Sequence, residues 1–288
     1  MEAGKVYPNV VIAGAPKCGT SSLYFWLAQH PDVCASTLKE TFFLADEVSR
    51  FNESSNYKKD GLEAYKEHFK NYKGEKIIFE ATAPYIYYKT PLAVLTKITP
   101  QPKIIFILRE PAKRLYSKYT FNKYKLKNFK GSFLDYCSLG GSKFSGQHVL
   151  EGEYANYLTE WKRVFGEENI YVFCLEQVMA NQRAELKKLA HWLNIDAAFY
   201  DDFDFTKRNE TFGVRSTYLH RLGLKLQPLV PYKVQEMLLP LYQKLNGTAI
   251  PKISADEKRL LSELKTYYSS KNEALAQLFP DVQFSSWQ

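Results

Sequence analysis

The sequence lacks the features that mark membrane, secreted and zinc-binding proteins. No apolar run approaches the roughly 20 residues that a membrane helix needs. The N-terminal segment MEAGKVYPNVV has no apolar core of the kind found in signal peptides. The four cysteines include no C-x-x-C pair, which predicts free thiols and argues against a metal site; they are Cys18, Cys34, Cys137 and Cys174. We therefore expect a cytoplasmic protein without a transmembrane segment.

Signatures of nucleic-acid binding are also missing, although the chain is basic. Its net charge of +8 and its pI of about 9.0 indicate an anionic partner. No zinc-finger, basic-zipper or RNA-recognition pattern occurs. With 45% hydrophobic and 15% aromatic residues, the 288 residues suffice for a globular protein with a substantial core. A highly charged small ligand is enough to explain the excess charge, so we predict no nucleic-acid partner.

Short apolar runs alternate along the chain with segments of helical periodicity. This alternation predicts an α/β fold with a P-loop-like parallel β-sheet flanked by helices. From about Arg215 the pattern is mostly helical, and the box Ser254-x-x-Glu257 opens the last helix. We predict a single domain over residues 1–288, with the core sheet at about 7–200 and a helical C-terminal portion at about 212–288. The predicted strands are Val10–Ile12, Val33–Ser36, Ile77–Phe79, Lys103–Leu108 and Ile170–Leu175.

Two segments between these elements are long enough to form loops. The polar stretch 47–60 is predicted to be a surface loop, ending in Asp60 as the N-cap of a helix with Glu63 at the third position. The stretch 121–150 carries five lysines against one acid, together with six aromatic residues and four glycines. A connection of that length more often serves as a lid or a binding loop than as an inert link.

The stretch from Asn9 to His30 organises the chain. A β-branched apolar run leads into a loop with Gly14, Pro16 and Gly19, and a helical pattern follows. Glycines let backbone N–H groups approach an anion, and a helix N-terminus adds partial positive charge. The two glycines match the spacing of a Walker A loop, but position 20 is a threonine and the lysine, Lys17, lies inside the loop. This displacement argues against a standard ATPase or kinase; a plain strand–turn–helix connection is the alternative.

The segment PKCGTSSL, from Pro16 to Leu23, resembles the 5′-phosphosulfate loop of sulfotransferases that use 3′-phosphoadenosine 5′-phosphosulfate (PAPS). The resemblance implies PAPS as the co-substrate, 3′-phosphoadenosine 5′-phosphate (PAP) as its product, and a sulfotransferase fold. It also implies that five loop and helix residues bind the donor: Lys17, Cys18, Gly19, Thr20 and Ser21.

A second segment, LREPAKRLYSKY, resembles the 3′-phosphate motif of the same family, in which Arg109 and Ser117 hold the phosphate. Independently of the family, Arg109 follows a strong strand pattern, and α/β proteins bind ligands at the carboxyl ends of their strands. A guanidinium there can form a bidentate pair with a phosphate. The alternative is a solvated basic helix. A looser resemblance adds Lys207 and Arg208 as weaker candidates, for which a solvated loop is an equal alternative.

On the acceptor side, Lys39-Glu40-Thr41-Phe42-Phe43 resembles the lysine–glutamate element of glycan-type and bacterial sulfotransferases, although the second aromatic of that element falls on Leu44. The resemblance implies that Glu40 is the catalytic base. Aromatic neighbours exclude water from a carboxylate, which favours proton uptake. A surface Lys–Glu pair is the alternative, and Glu80 and His148 are the rival bases. The predicted acceptor-binding residues are Glu40, Phe43, Glu80, Tyr85 and His148.

These residues predict in-line transfer of a sulfuryl group from PAPS to a hydroxyl, or an amine, of a small-molecule or glycan acceptor. Lys17 stabilises the charge on the leaving phosphate and Glu40 takes the acceptor proton, so no metal is required. One rival is a P-loop nucleotide kinase, which needs a lysine at position 20 and a magnesium-binding pair; Glu176, after the last predicted strand, is the acid it could use. A non-catalytic nucleotide-binding protein is the other.

Overall fold

The computed structural model describes residues 6–205, 213–216, 218–219, 223, 238, 241–284 and 287. The chain divides into two compact units. The first contains Met1–Glu110, Glu153–Arg208 and Tyr268–Gln288, and the second contains Pro111–Gly152 and Asn209–Tyr267. The predicted division into a core sheet at about 7–200 and a helical portion at about 212–288 stays a prediction. The assignment of a single domain stays a prediction.

A parallel five-stranded sheet forms the centre of the first unit, in the order β2-β3-β1-β4-β5. Its central strands β1 and β4 are buried nearly throughout. Strands covered on both faces read as continuous apolar runs, which is why VVIAG and KIIFIL contain no polar alternation. The strands are β1 (Val10–Gly14), β2 (Val33–Ala35), β3 (Ile77–Ala81), β4 (Lys103–Leu108) and β5 (Ile170–Cys174).

Helices alternate with these strands along the chain. In chain order the α-helices are α1 (Thr20–Leu27), α2 (Tyr57–Asp60), α3 (Lys89–Leu95), α4 (Pro111–Thr120), α5 (Phe133–Cys137), α6 (Gln147–Leu150), α7 (Tyr154–Phe165), α8 (Leu175–Ala180), α9 (Gln182–Leu193) and a C-terminal helix (Ala255–Leu278). Shorter 3₁₀ helices cover Leu62–Phe69, Ala83–Tyr87, Glu167–Asn169 and Ala197–Tyr200, and a π-helix covers Phe121–Leu126.

The five predicted strands are all present, within two residues of their predicted ends, and the parallel α/β class is confirmed. The predicted capping box of the C-terminal helix is also present. The Ser254 amide donates to Glu257 Oε2 at 2.9 Å, and the Glu257 amide donates to Ser254 Oγ at 3.2 Å. These elements are specified by neighbouring residues, which is why the sequence pattern locates them.

The predicted N-cap at Asp60 is wrong, and the stretch 47–60 is more than a surface loop. Asp60 ends the short helix α2, which Asn56 caps by accepting a hydrogen bond from the Lys59 amide. The helix predicted to follow Asp60 is the 3₁₀ helix Leu62–Phe69, and its N-cap is Gly61. Asn52 is buried; it accepts from the Ser49 amide at 2.7 Å and donates to the Phe42 carbonyl at 3.1 Å. These buried amides give the stretch a fixed shape.

The second unit has its own aromatic cluster, formed by Tyr116, Tyr119, Phe133 and Tyr136. It also contains an antiparallel pair, β6 (Gly213–Val214) and β7 (Gly247–Thr248). The stretch 121–150 folds here as the π-helix, α5 and α6, and its role as a lid stays a prediction. Lys207 and Arg208 lie outside the described residues, as does about half of the portion predicted to be helical between Arg215 and Ser254. None of the helices in the described ranges is long and apolar enough to cross a membrane.

Candidate functional site

The loop between β1 and α1 lies at the carboxyl edge of the sheet. The Ala15 amide donates to the Ile107 carbonyl at 2.9 Å, which anchors the loop to β4. Lys17 and Gly19 both have left-handed backbone angles, with φ of 69° and 94°. A Cβ added at Gly19 would also lie 2.9 Å from the Leu175 side chain. The left-handed conformation therefore favours glycine at this position, and any larger residue would also displace the Leu175 methyl group.

The N-terminus of α1 opens into this loop. Gly19 is its N-cap, and no side chain in the described part of the chain caps the first turn. The first N–H groups of a helix have no partner within the helix and carry partial positive charge, so this turn, with Thr20 and Ser21, can bind an anion. Lys17 is half-buried beside it. The predicted strand, glycine loop and helix are therefore present, and the binding of a phosphate by this loop stays a prediction.

Cys18 has a different environment from the other loop residues. Its thiol is buried 3.5 Å from the Tyr154 hydroxyl, and its amide donates to the Ala15 carbonyl at 3.3 Å. In this arrangement Cys18 shapes the loop, and its contact with the donor stays a prediction.

Arg109 follows β4 at the same edge of the sheet. Because β1 and β4 are parallel neighbours, Arg109 and the Lys17 loop follow the carboxyl ends of adjacent strands. The Arg109 side chain is half-buried. Ser117 lies in α4, in the second unit, and is also half-buried. The pairing of Arg109 with Ser117 around one phosphate stays a prediction.

Glu40 lies on the other side of the loop, at the end of β3. Its amide donates to the Ala81 carbonyl at 2.8 Å, and its backbone has a φ of 61°, which is strained for a residue with a side chain. The carboxylate is 2.5 Å from Lys39 Nζ and remains 32% exposed. The aromatic neighbours therefore exclude water from the Glu40 carboxylate only in part. The Lys39–Glu40 ion pair, which the sequence offered as the alternative, is present in the structure.

Glu80, the rival carboxylate, is fully buried below the segment that carries Glu40. It accepts hydrogen bonds from Tyr65, from Thr41 at 2.6 Å and from Thr82 at 2.9 Å. Burial raises the pKa of Glu80, although the hydroxyl groups around it oppose this effect. Thr41 also accepts from the Phe43 amide at 3.2 Å. The network thus fixes the backbone that follows Glu40.

Phe43 and Tyr85 belong to the same buried layer. Phe43 stacks on Tyr65 at a centroid distance of 4.9 Å, and the Tyr85 hydroxyl accepts from the Leu44 amide at 3.0 Å. Both side chains are fully buried. The structure therefore places Phe43, Glu80 and Tyr85 in the support of the Glu40 segment, and a direct contact of these residues with an acceptor stays a prediction.

His148, the other rival base, lies in the second unit within a buried ionic cluster. Its ring stacks on Tyr136, and its Nδ1 is 3.2 Å from Glu151 Oε1. Lys118 and Arg114 contact the other oxygen of Glu151 at 2.7 and 3.2 Å. Burial favours the neutral form of Glu151, but the His148 contact and the two cations hold its pKa at about 2. Both the ring and Nδ1 of His148 therefore take part in structural contacts.

Three residues outside the predicted donor and acceptor sites complete this edge of the sheet. Tyr154 donates to the Arg109 carbonyl at 2.9 Å. Glu176 Oε1 accepts from the Glu110 amide at 3.2 Å, and its Oε2 accepts from the Trp287 indole N–H at 2.9 Å. Protein groups therefore donate hydrogen bonds to both oxygens of Glu176, which serves the fold here. The sequence signal was weak, since Tyr154 and Trp287 read as ordinary core aromatics.

Comparisons with known proteins agree with this geometry. The model of the family described as "Sulfotransferase domain" matches residues 7–214. A membrane-associated sulfotransferase, kil1, of Dictyostelium discoideum is 33% identical over 45% of this chain and 26% of its own length. Carbohydrate sulfotransferase 15 of Mus musculus is 26% identical over 65% of this chain and 44% of its own. Heparan sulfate glucosamine 3-O-sulfotransferase 3A1 of Mus musculus is 25% identical over 73% and 52%.

These relatives are longer proteins, of which the chain spans about half or less. Among solved structures, a sulfotransferase from Alicyclobacillus acidocaldarius superposes with a TM-score of 0.68. The alignment covers 98% of this chain and 99% of that one at 21% identity, which shows a common fold. The family match covers the sheet, the Lys17 loop, the Glu40 segment and Arg109, and on this ground the chain belongs to the sulfotransferase domain family.

Proposed function

We propose that the protein transfers a sulfuryl group from PAPS to a hydroxyl, or an amine, of a small-molecule or glycan acceptor. The observation that carries the proposal is the Lys17 loop, at the carboxyl edge of the sheet. It combines a half-buried lysine with a helix N-terminus that no side chain of the described residues caps. The names of the relatives, which include carbohydrate and heparan sulfate sulfotransferases, support a glycan among the possible acceptors.

On the donor side, the loop and the first turn of α1 bind the 5′-phosphosulfate, and Arg109 binds the 3′-phosphate. During transfer the bond between sulfur and the 5′-phosphate oxygen breaks, and negative charge grows on that oxygen. The Lys17 ammonium and the N–H groups of the helix stabilise this charge, because they are already oriented before the reaction begins.

On the acceptor side, Glu40 accepts the proton of the attacking hydroxyl as the new bond between sulfur and oxygen forms. The hydrogen bond of its amide to Ala81 and the buried network around Glu80 hold its backbone in place. Lys39 fixes the carboxylate at the edge of the site. Release of PAP completes the reaction.

Calorimetry with PAP, AMP and ATP tests the donor assignment. Hydrogen bonds to charged groups contribute about 1.5–3 kcal/mol each, so we expect PAP to bind at least about 10-fold more tightly than AMP. Equal affinity for PAP and AMP would contradict the proposal, and preference for ATP would favour the kinase. Release of PAP from PAPS in the presence of an acceptor panel then separates an enzyme from a protein that only binds the nucleotide.

A further inference from the structure

The peptide group between Arg109 and Glu110 is held on both of its polar atoms by side chains. The Tyr154 hydroxyl donates to the Arg109 carbonyl at 2.9 Å. Glu176 Oε1 accepts from the Glu110 amide at 3.2 Å. The two contacts restrict the dihedral angles on either side of this peptide, and these angles set the direction in which the Arg109 side chain leaves the strand.

The same tyrosine connects Arg109 to the phosphate loop. Its hydroxyl is 3.5 Å from the Cys18 thiol, which is buried one residue after Lys17. Tyr154 is itself 1% exposed, and it lies in the first turn of α7. The buried Tyr154 hydroxyl therefore contacts both the backbone of Arg109 and the side chain of Cys18, which follows Lys17 in the phosphate loop.

Glu176 is in turn held by a residue close to the C-terminus. Its Oε2 accepts from the Trp287 indole N–H at 2.9 Å and from the Cys174 thiol at 3.2 Å. Trp287 is 1% exposed, and its ring lies 6.1 Å from that of Tyr154. A buried tryptophan N–H usually has a hydrogen-bond partner, and here that partner is the carboxylate that holds the Glu110 amide.

We infer that Tyr154, Glu176 and Trp287 are positioning residues for the donor site. They hold the Arg109 backbone at a fixed direction and at a fixed distance from the Lys17 loop, so that one nucleotide can meet Arg109 with its 3′-phosphate and the loop with its 5′ group. A preorganised guanidinium loses less conformational entropy when it binds a phosphate. The inference rests on the proposed function, and it assigns to the C-terminal segment a part in donor recognition.

The test compares PAP with AMP, which lacks the 3′-phosphate, on the wild-type chain and on Glu176→Gln. Three groups donate hydrogen bonds to the two oxygens of Glu176: the Glu110 amide, the Trp287 indole and the Cys174 thiol. The NH₂ group of a glutamine must therefore face at least one of these donors. We expect affinity for PAP to fall about 10-fold, since a hydrogen bond to a charged group is lost, while affinity for AMP stays the same. KM for PAPS should rise more than kcat falls.

Two further variants make the result specific. Trp287→Phe keeps a buried ring and removes the N–H, so it should also lower the affinity for PAP, but by less than Glu176→Gln does. If Glu176→Gln does not fold, Trp287→Phe takes its place in the test. Glu168→Gln is the matched control, because Glu168 is exposed at the opposite end of β5. It should bind both nucleotides like the wild type.

The outcomes separate this inference from the proposed function. Equal losses for PAP and AMP in Glu176→Gln and Trp287→Phe would show a merely structural role and overturn the inference. Unchanged binding of PAP in both variants would overturn it as well. A wild-type chain that does not distinguish PAP from AMP would instead overturn the donor assignment itself.

Discussion

Replacement of Glu40 by glutamine gives the most direct test of the acceptor side. The variant keeps the size of the side chain and removes the basic oxygen. The Glu40 side chain is 32% exposed and its partner Lys39 is 16% exposed, so their ion pair contributes at most about 1 kcal/mol to stability. Loss of a general base costs about 10²–10⁴ in rate, or roughly 2.7–5.5 kcal/mol in the barrier. The effect on the rate therefore exceeds any effect on folding.

The assay follows PAP release at saturating PAPS, together with thermal unfolding and calorimetry with PAP. We expect kcat to fall by about 10²–10⁴-fold, with the melting temperature and the affinity for PAP close to the wild type. The affinity is unaffected because Glu40 lies on the side of the loop opposite to Arg109, in the strand order β3-β1-β4. A variant with near-normal turnover would refute the role of Glu40, and a parallel loss of stability and rate would indicate a structural one.

Further predictions concern three other charged residues. Lys17→Ala should weaken PAP binding in calorimetry and reduce kcat further, because the ammonium faces charge that grows during transfer; normal binding and turnover would refute this. Glu80→Gln should lower the free energy of unfolding by about 1–3 kcal/mol, since an amide NH₂ must face one of three buried hydroxyls; a large rate loss with an intact fold would make Glu80 the base instead. The pKa of Glu151 is about 2 in the folded protein against 4.5 for a free glutamate. Its contribution to the free energy of unfolding is therefore complete above pH 4.5 and is lost as the pH falls towards 2. Denaturant titrations from pH 5 to 2.5 should show this slope in the wild type and a smaller one in Glu151→Gln.

The sequence predicted those features that depend on adjacent residues. The Lys17 loop is one example, because its glycines, Lys17 and Thr20 lie close together in the sequence. The Ser254 box is another, since both partners belong to the same first helical turn. The exception at Asp60 has a local cause as well: Asn56, four residues earlier, starts the helix that Asp60 ends, and the acidic residue alone did not reveal it.

Contacts between distant residues were beyond the sequence pattern. Glu80 looked like a strand-end acid open to an acceptor, but Thr41 and Tyr65 close over it from 39 and 15 residues away. Glu176 looked like a possible magnesium ligand, and its partner Trp287 is 111 residues away. Apolar periodicity marks such side chains as buried but says nothing about which polar atom each one meets.

The sequence by itself therefore determined the parallel sheet and the glycine loop at its carboxyl edge, because strand periodicity and glycine conformation act over a few residues. Only the tertiary structure decided which carboxylate remains accessible. Glu40 keeps a third of its surface beside Lys39, whereas Glu80 is fully buried among hydroxyls and Glu176 is held between Glu110 and Trp287. The three acids have the same side chain, and the difference lies in the donors and the solvent that the fold brings to each.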